Sequence, residues 1–99
     1  MKEIKLAHKE KFVAILSAHL SVYAMCYSIF GKDGFQTKMQ KAELAEIITG
    51  ARDSSDFTSE MAKGITDCLE TIEAWADEMH AVYPNEEIEK RMDKIFIGK

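Results

Sequence analysis

Apolar positions recur along this chain with a helical period, and no long stretch shows the two-residue alternation of a half-buried strand. The clearest run lies between residues 58 and 83. Met61, Ile65, Cys68, Leu69, Ile72, Trp75, Ala76 and Met79 fall on one arc of a helical wheel, and Glu60, Asp67, Glu70, Glu73, Asp77 and Glu78 fall on the other. A second run, residues 3–30, is apolar over most of its circumference, the mark of a helix buried on more than one side. Ser17, Ser21, Ala24 and Ser28 share a narrow stripe with Ala14 at its edge. Phe12, Leu16, Tyr23, Tyr27 and Phe30 share the opposite side, flanked by His19 and Cys26. Small residues let another helix approach closely, and the large ones fill a core. Two shorter patterns follow: 38–49 with Leu44, Ile47 and Ile48, and 86–97 with Ile88, Met92 and Ile95.

Boundary signals fit these elements. Gly31-Lys32-Asp33-Gly34 reads as a turn. Thr37-Lys38-Met39-Gln40 has the spacing of a capping box, and Gly50 suits a left-handed stop. The Asp- and Ser-rich segment from Ala51 to Phe57 reads as a loop, with Thr58 or Asp56 capping the next helix. Pro84 ends that helix, and Asn85, Glu86 and Glu87 suit the start of the last one. The expected fold is all-α: a small helical bundle of two long helices packed antiparallel and two short ones closing the sides, in a single domain over residues 1–99.

Composition sharpens this picture mainly through charge. A hydrophobic content of 46% and a charged content of 30% are those of a globular domain and exclude disorder. The net charge of −4 hides three blocks. Residues 1–42 carry seven Lys/Arg against three Asp/Glu, residues 43–89 two against thirteen, and residues 90–99 four against one. The acidic middle opposes binding to a phosphate backbone, which rests on basic side chains. Phe12–Phe30 is nineteen residues without a formal charge, just enough to span a bilayer. Ser17, His19, Ser21 and Ser28 make it polar for a span, and Tyr23 and Tyr27 fall inside it rather than at its edges. No small-residue cleavage site follows it cleanly, as a signal peptide requires. Cys26 and Cys68 sit inside apolar patterns and read as buried free thiols of a reducing compartment. A cytoplasmic location is expected.

Several constellations could carry chemistry. Glu43-x-x-Glu46, Glu70-x-x-Glu73 and Asp77 place acidic pairs one turn apart on two helices, a set able to hold Mg²⁺ against a diphosphate. Over those five residues the chain is similar to the all-α nucleotide pyrophosphohydrolases, and the resemblance implies Mg²⁺-dependent hydrolysis of a nucleotide. The wheel argues otherwise, because these carboxylates sit far from the apolar centre of their helices, whereas metal carboxylates in a bundle point inward. Asp77-x-x-His80 has the spacing of a bundle metal pair, but neither His8 nor His19 has an acid three residues before it to supply a second. His19 reads as a core histidine bonded to a tyrosine or a carbonyl. Cys26 lies about 10 Å along the same helix from His19, beyond reach for a nucleophile pair. Met25, Met39, Met61, Met79 and Met92 read as gap-filling core.

No cofactor, metal or catalytic residue is therefore expected. The sequence points to a non-enzymatic protein–protein interaction module, whose partner-binding acidic face is Glu60, Asp67, Glu70, Glu73, Asp77 and Glu78, continued by Glu86, Glu87 and Glu89. Its partner is a protein with a basic surface, such as a groove that normally holds nucleic acid. That is the mode of a phage or mobile-element inhibitor of a host defence complex. Direct nucleic-acid and membrane binding are not expected. The first helix has more apolar surface than its own chain can cover, which points to a homodimer through Ala14, Ser17, Ser21 and Ala24. A Mg²⁺-dependent pyrophosphohydrolase and a membrane-anchored helical protein remain the alternatives.

Overall fold

The computed structural model describes residues 6–54 and 56–98, with side chains from Lys9 onward. The expected helix start at residue 3, the His8 side chain and Ser55 of the expected loop lie outside the described residues. Four helices follow in chain order: α1 (Leu6–Phe30), α2 (Phe35–Ala51), α3 (Ser59–Met79) and α4 (Asn85–Phe96). There is no strand among the described residues, and the all-α bundle of two long and two shorter helices stands as expected.

α1 packs against all three other helices and forms the hub of the bundle. Its Leu16, Leu20 and Tyr23 are closed from water with Leu44 of α2, Ile65, Cys68 and Ile72 of α3, and Ile88 and Met92 of α4. Contacts give the direction of each helix. His19 meets Glu43, Phe12 stacks edge-on against Phe96 at 5.3 Å, and Tyr23 and Tyr27 meet Glu73 and Asp77. The last two pairs keep one constant offset of 50 residues, so α1 and α3 run parallel, while α2 and α4 run antiparallel to α1. The expected antiparallel pairing of the two long helices is thus corrected. α2 is 17 residues, about 25 Å, long enough to carry the chain back before α3 begins.

The α1–α2 corner uses two glycines for different reasons. Gly31 adopts φ 78° and closes α1, its N–H donating to Tyr27 O at 2.9 Å. Gly34 caps α2 from an extended conformation, and a Cβ there would lie 2.5 Å from Phe30 Cβ. Because this tight corner starts α2 at Phe35, Thr37 is not a cap. It is buried within the helix, and its Oγ1 donates to Cys26 O at 3.0 Å, tying α2 to the last turn of α1. Gly50 is likewise no left-handed stop. It is helical, and the chain leaves α2 through successive tight turns, Asp53 N to Gly50 O at 3.3 Å and Ser54 N to Ala51 O at 2.9 Å.

Thr58 caps α3 as expected, its Oγ1 accepting from Met61 N at 3.1 Å. α3 ends at Met79, earlier than Pro84 alone requires, because His80 turns left-handed with φ 53°. The early turn folds Tyr83 back onto Trp75, with ring centroids 5.5 Å apart. In a continuous helix those residues would be about 12 Å apart along the axis. Pro84 instead caps α4, its carbonyl accepting from Glu87 N and Ile88 N.

The glycines at the two ends of α2 give stability changes of opposite sign. Gly34→Ala should lower stability by about 1–3 kcal/mol, since the added methyl meets the Phe30 Cβ. Gly50→Ala should raise it by about 0.5–1 kcal/mol, because the site is helical and a Cβ there meets nothing within 4 Å. Urea unfolding followed by circular dichroism measures both, and a destabilised Gly50→Ala variant would restore the left-handed reading.

Candidate functional site

α3 buries Ile65, Cys68, Ile72 and Ala76 and turns its other side outward. Glu60, Asp67, Glu70, Asp77 and Glu78 are exposed on that side, along about 27 Å of helix. Lys63 is the single basic residue in α3, and it pairs with Asp67 at 3.1 Å. Glu73 departs from the expected solvated arrangement. It is half-buried, and its Oε2 accepts from the Tyr23 hydroxyl at 2.6 Å and from Lys41 Nζ at 3.3 Å. The Tyr27 hydroxyl donates to Asp77 Oδ2 at 3.2 Å. Two of the six predicted partner-binding acids therefore also hold α3 against α1. The reason lies on α1: tyrosines one turn apart bury their rings in the core and must place their hydroxyls where an acceptor can reach. Burial, together with the Glu73 carboxylate, pushes the Tyr23 phenol well above its ordinary value. Burial and Asp77 push Tyr27 the same way.

The acidic pairs that resemble a pyrophosphohydrolase site do not converge. Glu43 faces His19 Nδ1 at 3.5 Å, Glu73 is engaged by Tyr23 and Lys41, and Glu46 is exposed. Among the described residues no three His, Cys, Asp or Glu side chains come together as metal ligands would. His19 is not the core histidine expected from its neighbours, for its side chain is 33% exposed beside Glu43. His19 lies about 90° around the helix from the Leu20–Tyr27 side, and its ring sits where α2 only half covers α1. His80 is exposed at the end of α3. Both cysteines are free. Cys68 is sealed in the core, where burial pushes its thiol up to about 11 and keeps it protonated at neutral pH.

The small stripe of α1 divides between two environments. Ser17 and Ala24 are buried within the chain, while Ala14 is exposed and Ser21 half-buried. Beside them α1 and α4 leave an open trough of about 660 Å³. A further side of α1 carries Ile15, Val22, Met25 and Ile29, all exposed, Ile29 at 65%. The contrast of small against large residues hid this side, although its spacing of seven, three and four residues was there to be read. α1 is long and apolar enough to cross a membrane, but its Leu16–Leu20–Tyr23 side is the core of the bundle.

The tyrosine anchors predict alkaline sensitivity. A phenol that holds its proton more tightly in the folded chain adds stability below its ordinary value of 10.0 and loses that contribution as pH rises above it. Tyr23→Phe should cost about 1–2 kcal/mol at neutral pH by removing the bond to a charged acceptor. It should also flatten the decline in stability above pH 10 relative to the wild type. Parallel slopes in denaturant titrations of the two proteins would contradict the anchor.

The chain matches no family model, no curated protein and no solved structure, so a functional reading rests on the geometry above.

Proposed function

We propose that this chain is a non-enzymatic interaction module that docks on a basic protein surface through the outer side of α3. The observation that supports the reading is the set of exposed carboxylates from Glu60 to Glu78, among which Lys63 is the single cation of α3 and is paired. A row of fixed negative charge on a rigid helix accelerates encounter with a positive surface and sets orientation on arrival. A channel built for nucleic acid presents such a surface, because it is lined to neutralise phosphates. Inhibition of a nucleic-acid-handling complex, as a phage or mobile-element protein would exert it on host defence, is the specific form this reading takes.

Glu73 and Asp77 belong to the fold as well as to the strip, so the decisive variant leaves them in place. Glu60→Lys/Glu70→Lys/Glu78→Lys should shift the melting temperature little, because exposed charges contribute weakly to stability. Proteins captured from lysate by the wild type should be lost on the reversed variant and displaced from the wild type by added polynucleotide. Their association rate should fall as salt screens the strip. An unchanged captured set on the reversed variant would remove the α3 strip from the function.

A further inference from the structure

α1 carries two seams of the same spacing. Val13, Leu16, Leu20, Tyr23 and Tyr27 follow one another at intervals of three, four, three and four residues, and all five are buried in the bundle. Ile15, Ala18, Val22, Met25 and Ile29 repeat those intervals two residues later, which is about 200° around the helix. This outer seam lies opposite the tyrosines that hold α3. Every member is exposed, the four large ones at 41% to 65%. An alternation of three and four keeps one line of side chains facing a neighbouring helix over several turns, the pattern of a coiled-coil seam. The inner seam meets its neighbours within the chain. The outer one meets none, and the trough beside α4 is its flank, with Ala18, Val22 and Met25 lining both.

We propose that α1 pairs along this outer seam with α1 of a second copy of the chain, in antiparallel orientation. The exposed area fits a second copy. With Ala14 beside it and Phe30 at its end, the seam opens roughly 600 Å² per chain, so self-pairing removes about 1,200 Å² from water in total, the lower limit of a specific interface. A single chain rarely leaves so much contiguous apolar surface open. Charge sets the direction. From Phe12 to Phe30 there is no formal charge, and Lys11 stands four residues before Ile15, in line with the seam. A parallel pair would set the two Lys11 side by side. An antiparallel pair carries each Lys11 to the end of the other copy that bears the exposed Asp33 and Glu86. The small stripe expected to pair gives way to this seam, since its Ser17 and Ala24 are buried within the chain. α3 lies across α1 from the seam, so the pair turns both acidic strips outward.

Sedimentation equilibrium of the full chain measures the pairing. The wild type should be a monomer–dimer mixture with a dissociation constant in the micromolar range, as an interface of this size gives. Val22→Lys and Ile29→Lys, each at an exposed position, should raise that constant more than tenfold and leave the melting temperature of the dilute chain unchanged. The α3 reversal Glu60→Lys/Glu70→Lys/Glu78→Lys should leave it within twofold, which separates the seam from the α3 strip. Orientation is read by cross-linking in a Cys26→Ser background, where the remaining Cys68 is sealed in the core. A short bismaleimide should link Ile15→Cys chains to Ile29→Cys chains and should not link Ile15→Cys chains to each other. A monomer at every concentration, including one that floats with phosphatidylglycerol vesicles, overturns the proposal. So does a dimer indifferent to Val22→Lys and Ile29→Lys, a dimer lost on the α3 reversal, or Ile15→Cys linked to itself.

Discussion

A helix that is apolar around most of its circumference has to be covered, and the rest of this chain is arranged by that demand. α1 supplies more core side chains than any other element, and each remaining helix lies against it. α2 is clamped to its C-terminal turn by the Thr37 hydroxyl, α3 is held by two phenols, and α4 is seated by the Phe12–Phe96 contact. Three helices cannot enclose a fourth completely. The side left over carries Ile15, Val22, Met25 and Ile29, and its border with α4 is the trough.

The features that came through in the sequence are those governed by a single period or a single local rule. Ile65, Cys68, Ile72 and Ala76 repeat so regularly that the buried side of α3 could be drawn without coordinates, and Thr58 caps it because an oxygen two or three residues before an apolar run has few other uses. What stayed hidden depends on contacts between distant segments. Thr37 carries the spacing of a cap, but a corner tightened by Gly31 and Gly34 moves the helix start past it and turns its hydroxyl onto α1. Glu73 lies about 95° from the centre of the apolar arc and Glu70 about 155°, so a wheel puts Glu73 at the border, but only the tyrosine 50 residues earlier supplies its partner. Likewise, no local signal tells whether two long helices run parallel, because that is decided by how far the helix between them carries the chain.

Exposed side chains also serve the architecture in this protein. Asp77 is exposed and yet accepts the Tyr27 hydroxyl, so a change at that surface position reaches the bundle. The acidic strip lies on the outer side of α3, whereas the trough lies between α1 and α4.

The constant offset between the two tyrosines and their acceptors works as a vernier. Apolar helix faces slide easily, since one isoleucine packs much like the next. If α3 slipped one turn in one direction, Tyr27 would find Glu73 but Tyr23 would face Leu69. Slipped one turn the other way, Tyr23 would find Asp77 and Tyr27 would face Ala81. Each misalignment leaves one hydroxyl without its carboxylate, and only the native alignment gives both phenols theirs. A pair of marks at matched spacing thus gives a greasy interface a single readable position.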